Sequence, residues 1–283
     1  MSQVLLMGFS NAGKTVYGAQ LYGRILHGAS ALRSNTPPER ITPLREALEA
    51  LEEGRSPKHT PLGTYESIVF SVLDREGGAH ELVWPDYDGE QCQAMLTSRV
   101  VPPHWVNQLM HAEAWLIMLR PSHLRQPPSA VSEPATRTSQ PASETKETLL
   151  DKTVFLPSQV QWVELLQLLW WARSGFAPWQ TTRPRLTVLL SCFDEVADEG
   201  PPMTVLAHRC PLLLEYINHT WHPDSVRVFG LSAQGGPLTD TPLAAAYRET
   251  FQERGPMRSG HIVDGDGHEN LDLTLPVAWL FKP

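Results

Sequence analysis

The sequence predicts an α/β protein built as a three-layer sandwich around a mainly parallel sheet. Short apolar runs typical of buried strands alternate along the chain with amphipathic stretches typical of helices. The first run, Val4 to Met7, leads into a glycine-containing loop and then a helical stretch, which is the order of a βα unit. Several polar motifs directly follow predicted strands, where ligands bind in parallel sheets. We expect one domain over residues 1–283.

Each predicted element depends on its local pattern of apolar residues and helix-breaking residues. The predicted strands cover residues 4–7, 65–73, 80–84, 114–119, 186–190 and 226–231. The predicted helices cover residues 16–26, 39–53, a stretch beginning at Pro157, 203–221 and 272–280. Residues 121–154 are rich in Pro, Ser and Thr and have little apolar periodicity, so we expect a mobile insertion there.

Composition and charge exclude several classes of function. The chain has 283 residues and a net charge of −8, which argues against a nucleic-acid partner that needs a broad basic surface. No apolar stretch approaches the roughly 20 residues that span a bilayer. Cys92, Cys192 and Cys210 have no C-x-x-C spacing, which is typical of free, mostly buried thiols in a reducing compartment. A cytoplasmic protein without a membrane span is therefore expected.

The first candidate site follows the first predicted strand and has the pattern G-x-x-x-x-G-K-[ST]. Gly8, Gly13, Lys14 and Thr15 fill its four fixed positions. Glycines let backbone N–H groups turn inward around phosphates, and the following helix adds its positive N-terminal end. Lys14 is predicted to reach the β- and γ-phosphates and Thr15 to hold Mg²⁺. The binding residues on this segment also include Asn11, Ala12 and Val16.

A second candidate site, Asp86-Tyr87-Asp88-Gly89, follows the strand predicted to end at Trp84. An acidic residue at a strand tip holds the water shell of Mg²⁺, and a glycine three positions later offers its backbone N–H to the γ-phosphate. This is the D-x-x-G pattern, which assigns these roles to Asp86 and Gly89. Asp88 is the alternative acid, although its spacing to Gly89 fits less well.

Two further motifs follow later predicted strands, and their residues are predicted to contact the base of a bound nucleotide. Asp194 comes soon after the run LTVLL, and its carboxylate has the chemistry to accept both N–H donors of guanine. A guanine-binding aspartate of this kind commonly belongs to an N-K-x-D motif. This chain has the Asp but lacks the Asn and Lys of that motif. Ser232 and Ala233 follow the run VRVFGL and are predicted to support the base.

Taken together, the four motifs resemble those of P-loop GTPases of the translation-factor and Ras-like branch. The segments GFSNAGKT, WPDYDGE, LLSCFDE and DLTLPVAWL are similar, more narrowly, to the bacterial double-GTPase group. The resemblance implies a Ras-like P-loop NTPase fold, GTP or GDP as ligand and a dependence on Mg²⁺. It also implies a molecular switch with protein partners, encoded nearby in a bacterial multi-protein conflict, defence or signalling system.

The resemblance also assigns roles that the spacing alone does not fix. A first-switch threonine is needed before the strand at residue 65, where both Thr60 and Thr64 are available. Thr60 is preferred because it leaves Thr64 free to enter the strand. Its hydroxyl would join Thr15 and Asp86 in the Mg²⁺ shell. The implied catalytic residues are Lys14, Thr60, Asp86, Gly89 and Glu90.

One departure bears on hydrolysis. Ras-like enzymes carry a Gln directly after D-x-x-G to orient the attacking water, whereas this chain has Glu90 and then Gln91. A carboxylate can orient water, but its charge would lie near the γ-phosphate. We therefore expect slow intrinsic hydrolysis, or hydrolysis completed by a partner; an exposed helix residue is the alternative interpretation of Glu90. Candidates for an arginine finger are Arg40, Arg55 and Arg99.

Two rival functions remain open from sequence. One is a P-loop kinase for a small molecule, with Asp86 as catalytic base. The Pro- and Ser-rich insertion does not resemble the arginine-bearing lid of such kinases. The other is a pseudo-GTPase scaffold, which the missing Asn and Lys before Asp194 and the presence of Glu90 both favour.

Overall fold

Strands and helices alternate through the computed structural model, which describes residues 3–27, 30–36, 41–57, 65–87, 90–126, 157–239 and 241–282. The strands are β1 (Gln3–Gly8), β2 (Arg33–Thr36), β3 (Tyr65–Leu73), β4 (Ala79–Tyr87), β5 (Ala112–Leu119), β6 (Arg185–Ser191), β7 (Val226–Ser232), β8 (His261–Val263) and β9 (Glu269–Asn270). The helices are α1 (Lys14–His27), α2 (Thr42–Glu52), α3 (Glu90–Ser98), α4 (Pro103–His111), α5 (Ser158–Ser174), α6 (Pro202–Arg209), α7 (Pro211–Thr220), α8 (Pro242–Arg254) and α9 (Leu275–Leu280).

The strands form one sheet in the order β2-β3-β4-β1-β5-β6-β7-β8-β9. Its five central strands, β4, β1, β5, β6 and β7, are parallel, and antiparallel pairs extend the sheet on both sides. The carboxyl ends of these five strands therefore meet at one edge. Each of the four sequence motifs begins at or near that edge.

Strand β1 illustrates why the central runs are continuously apolar. Val4 and Leu6 pack into the core on one face of the sheet, while Leu5 and Met7 pack into the core on the other. Because successive side chains of a strand point to opposite faces, a strand covered on both sides needs apolar residues at every position. The predicted buried strand is confirmed.

Helices cover both faces of the sheet. Tyr17 of α1, Leu44 of α2 and Val277 of α9 belong to one core, whereas α3 to α7 supply the other. The predicted apolar face of α5 is buried throughout and consists of Trp162, Leu165, Leu166, Leu169 and Trp170. This layering confirms the predicted P-loop NTPase-like sandwich. None of the helices in the described ranges has both the length and the apolar character needed to cross a bilayer.

The prediction of one helix over residues 203–221 is wrong. The structure has two helices there, α6 and α7, which meet at Cys210. Pro211 cannot donate a backbone hydrogen bond, and its ring disfavours helical geometry at the preceding residue, whose φ is −138°. The predicted C-terminal helix is also shorter and begins at Leu275, because the Asp272 carboxylate accepts from the backbone N–H of Ala31 at 2.7 Å and forms a turn instead.

Strand β4 is longer than predicted and ends at Tyr87 rather than Trp84. It pairs with β3 along its whole length, so Asp86 lies inside the strand, opposite Glu66. Pairing with β1 stops at Val83. Pro85 therefore lies where β4 has only one neighbour, a position at which a missing N–H is tolerated.

The first residues of the predicted insertion are part of the folded structure. Pro121 begins a short 3₁₀ turn and is buried. The backbone N–H groups of Arg125 and Ser158 donate to Ser158 Oγ and Arg125 O at 2.9 and 3.0 Å. Gln126 Nε2 donates to the carbonyl of Arg209 at 3.1 Å. Residues 127–154, the rest of the predicted insertion, lie outside the described residues.

Replacing Trp115 with alanine is expected to lower the free energy of unfolding by about 3–5 kcal/mol, because it leaves a large cavity in the core. The ring is fully buried and lies 4.9 Å from the Trp170 ring and 5.9 Å from the Trp221 ring, measured between centroids. Trp171→Ala is the control, since Trp171 is 68% exposed and its removal should change stability by about 0.5 kcal/mol or less. Chemical denaturation measures both, and equal losses would contradict this assignment of the core.

Candidate functional site

The phosphate-binding loop connects β1 to α1 and has the backbone geometry that its glycines permit. Gly13 has φ +79°, which only glycine adopts without strain, and Asn11 also lies in the left-handed region at +63°. A Cβ on Gly8 would lie 3.3 Å from Ala12 Cβ, Lys14 Cδ and Met118 O, so the loop packs closely on the end of β5. The glycines thus shape a tight turn directly before a helix N-terminus.

Lys14 is folded back over this loop. Its Nζ donates to the carbonyl oxygens of Gly8 and Phe9 at 2.8 and 3.0 Å. The ammonium group therefore lies at the mouth of the loop, hydrogen-bonded to neutral carbonyl oxygens that charged phosphate oxygens can replace. Thr15 and Val16 follow in the first turn of α1 and are half-buried. The arrangement leaves a cation and a helix N-terminus beside one another, which together favour an anion.

The turn after β6 presents Asp194. Ser191 ends the strand with its hydroxyl donating to Leu119 O at 3.1 Å, and Cys192 then takes a left-handed conformation with φ +49°. Burial raises the pKa of the Cys192 thiol to about 11, so this cysteine stays protonated. Asp194 lies in the following 3₁₀ turn and its side chain is exposed at the edge of the sheet.

The turn at Asp194 is joined to the end of β7. The backbone N–H of Asp194 donates to Ser232 Oγ at 2.9 Å, and Ser232 is itself 1% exposed. Ala233 follows, and its carbonyl accepts from Gln20 Nε2 at 2.8 Å. A Cβ on Gly13, in the loop before α1, would lie 3.9 Å from the Cβ of Ser191, which precedes the Asp194 turn. The structure therefore brings together three of the predicted segments: the loop before α1, the Asp194 turn and the Ser232–Ala233 loop.

This arrangement agrees with a comparison against known families, in which the Double-GTPase 1 model matches residues 5–280. The chain belongs to the Double-GTPase 1 family. This confirms the resemblance to the double-GTPase group, and GTP or GDP is the ligand that membership implies. A search of curated proteins found no match.

The structure of this Double-GTPase 1 chain describes only part of the predicted second switch. Asp86 is the penultimate residue of β4, three residues beyond Val83, the last residue of the strand that pairs with β1. Thr60, Thr64, Asp88 and Gly89 lie outside the described residues. Glu90 is the first residue of α3 and is exposed. Gln91, the next residue, accepts a hydrogen bond from the indole N–H of buried Trp105 at 3.0 Å, which anchors it to α4.

Among the candidate arginine fingers, Arg55 and Arg99 are described. Arg99 pairs with Glu164 at 3.1 Å between nitrogen and oxygen, and Arg55 pairs with neighbouring Glu53. Both contacts tie these side chains to acids within the domain. Arg40 lies outside the described residues.

Arg120 and Ser122 support the Asp194 turn, and neither was predicted from the sequence. Arg120, just after β5, donates its Nε–H to Glu195 at 3.1 Å, and Ser122 also donates to Glu195. Burial favours protonation of Glu195, but these hydrogen bonds outweigh it and lower the pKa of the carboxyl. On the other side, a Cβ on Gly230 would lie 2.5 Å from the ring of Phe193. The Asp194 turn is therefore held by an ion pair and by a close approach to β7.

Proposed function

We propose that this protein is a GTP-binding molecular switch that hydrolyses GTP slowly or with the help of a partner protein. The observation that carries the proposal is the convergence of the phosphate-binding loop, the Asp194 turn and the Ser232–Ala233 loop at one edge of the sheet. The first fits the phosphates of a nucleotide and the other two are placed to contact its base. Membership in the Double-GTPase 1 family agrees with this combination.

In the proposed complex the phosphates would lie over the first turn of α1. Lys14 would exchange the carbonyls of Gly8 and Phe9 for β- and γ-phosphate oxygens, and the backbone N–H groups from Asn11 to Val16 would face the same anion. The Asp194 carboxylate would accept the two N–H donors of guanine. Ser232 and Ala233 would support the base from the other side.

A magnesium ion is part of the proposal. Thr15, Thr60 and Asp86 would supply hydroxyl and carboxylate oxygens, the hard donors that Mg²⁺ prefers. The backbone position of Asp86 near the carboxyl end of β4, a strand that pairs with β1, supports this set. When bound, the ion would neutralise charge on the β- and γ-phosphates.

The exposed position of Glu90 supports slow hydrolysis. The Glu90 carboxylate would place a negative charge near the γ-phosphate, directly after D-x-x-G, where Ras-like enzymes use a neutral Gln. Gln91 is engaged by Trp105, which leaves Glu90 as the nearer candidate for orienting water. A partner that supplies a cation would relieve this repulsion. We place such a switch in a cytoplasmic bacterial multi-protein system, for conflict, defence or signalling, whose protein partners are encoded nearby.

A nucleotide-holding scaffold is the second candidate, because the same two observations at Glu90 and Gln91 suit a protein that never hydrolyses its ligand. Single-turnover phosphate release separates the candidates. A switch should release phosphate slowly from GTP, dependent on Mg²⁺, and not from ATP. A scaffold should retain intact GTP, whereas faster turnover of ATP with a small-molecule acceptor would favour the kinase.

In a GTP-binding titration with and without Mg²⁺, Thr15→Ala should remove most of the Mg²⁺-dependent part of GTP affinity, because the hydroxyl that would hold the ion is lost. Affinity in the presence of a chelator should change little. Thr97→Ala is the matched control, since it removes an exposed hydroxyl from α3 that donates to Gln93 O within its own helix. Unchanged Mg²⁺ dependence in the Thr15 variant would contradict the proposed metal site.

A further inference from the structure

A buried amide on α1 contacts the Ser232–Ala233 loop. Gln20 is 0% exposed and donates from Nε2 to the carbonyl of Ala233 at 2.8 Å. The two residues are 213 positions apart in sequence, so this contact joins α1 to a distant part of the chain. A part-buried carbonyl that loses its donor is left poorly hydrogen-bonded, which is unfavourable. The contact therefore fixes where Ala233 lies.

Arg24 sets the orientation of this amide. Its guanidinium donates to Gln20 Oε1 one helical turn away, and also to Ser259 O at 2.9 Å. Burial lowers the pKa of Arg24 to about 10, opposed by the nearby charge of Asp272, so the group stays cationic at neutral pH. Because a guanidinium has only donors, Gln20 must turn its oxygen toward Arg24 and its NH₂ group toward Ala233.

The other side of the loop is closed by Gly260. A Cβ at this position would lie 2.4 Å from Ala233 O and 2.8 Å from Ser232 O, so the two backbones touch directly. Gly260 follows Ser259, the residue whose carbonyl accepts from Arg24. One buried arginine thus binds both the amide that holds Ala233 and the segment that packs against it.

We propose that Gln20 and Arg24 are positioning residues for the guanine subsite, an inference that rests on the proposed function. Helix α1 carries Lys14 and Thr15 in its first turn and Gln20 six residues after Lys14, about 9 Å along the helix axis. A single helix therefore spaces the phosphate site from the base site. Loss of the Gln20 contact should let the Ser232–Ala233 loop move while leaving the phosphate-binding loop in place.

The test compares nucleotide with inorganic triphosphate as ligands in the presence of Mg²⁺. Gln20→Glu keeps an acceptor for Arg24 but replaces the donor to Ala233 O with a second oxygen. We expect about a tenfold loss of GTP affinity and a smaller preference for GTP over ATP, with affinity for inorganic triphosphate unchanged. Arg24→Lys keeps the positive charge but loses the paired N–H donors of the guanidinium. It should likewise lower the affinity for GTP relative to ATP and to inorganic triphosphate.

Tyr17→Phe is the matched control, because it removes a buried hydrogen bond of 3.0 Å from the same helix to Leu273 O, away from the base loop. It should leave the GTP-to-triphosphate ratio unchanged. The inference is overturned if Gln20→Glu and Arg24→Lys keep the wild-type preference for GTP over ATP. It is also overturned if the two variants lose affinity for GTP and for inorganic triphosphate by the same factor. Equal binding of GTP and ATP by the wild-type protein would instead contradict the proposed function, before any variant is compared.

Discussion

Replacing Lys14 with alanine is expected to weaken GTP binding by about 100-fold or more. The ammonium group lies over the phosphate-binding loop, within hydrogen-bond distance of Gly8 O and Phe9 O. In the proposed complex it would make two charge-assisted hydrogen bonds to phosphate, each stabilising the complex by about 1.5 kcal/mol or more. Their loss corresponds to at least two orders of magnitude in affinity.

Calorimetric titration with GTP measures this loss, and circular dichroism checks that the variant is folded. Lys282→Ala is the matched control, since it removes the same charge from the C-terminal end of the chain and should bind GTP as the wild-type protein does. Wild-type affinity in Lys14→Ala would contradict the assignment of the phosphate loop. Equal losses in both variants would mean that overall charge, not position, governs binding.

Replacing Asp194 with asparagine is expected to change base preference. The carboxylate is exposed at the sheet edge, and its turn is held by Ser232 Oγ, 2.9 Å from the Asp194 backbone nitrogen. If it accepts both guanine N–H donors, the wild-type protein should prefer GTP to ATP despite the missing Asn and Lys. Asparagine offers one donor in place of one acceptor, so the variant should lose GTP affinity by about 10- to 100-fold.

Xanthine has a carbonyl where guanine has its amine, so Asp194→Asn should gain relative affinity for XTP. Competition binding with GTP, ATP and XTP measures the change. Asp198→Asn is the control, because Asp198 is an exposed carboxylate in the next turn and its replacement alters the charge equally. If Asp194→Asn binds GTP, ATP and XTP with the same relative affinities as the wild-type protein, Asp194 does not contact the base.

The sequence predicts the parts of this fold that depend on local patterns. The continuous apolar run of β1 reflects a requirement within a few residues, and the predicted strand is confirmed. Gly13 of the following loop takes a positive φ of +79°, whereas the predicted role of the loop in phosphate binding stays a prediction. The helix break at Cys210 was missed although Pro211 is a local signal. Strands β8 and β9 were missed because three and two residues are too short to show a period.

The contacts that hold the candidate site together were not predictable in this way. Gln20 meets Ala233, Arg24 meets Ser259 and Arg120 meets Glu195, all across long separations in sequence. No local pattern marks a buried glutamine or arginine as the partner of a distant loop. By contrast, Lys14, Asp194 and Ser232 could be predicted as site residues because each comes after a predicted strand, and parallel strands carry their carboxyl ends to one edge.

Titration of the purified wild-type protein with GTP, GDP and ATP, with and without Mg²⁺, tests the central claim most directly. We expect saturable binding of GTP and GDP at one site per chain, tighter GTP binding with Mg²⁺, and at least tenfold weaker binding of ATP. Absence of GTP binding, or equal affinity for GTP and ATP under both conditions, would contradict it.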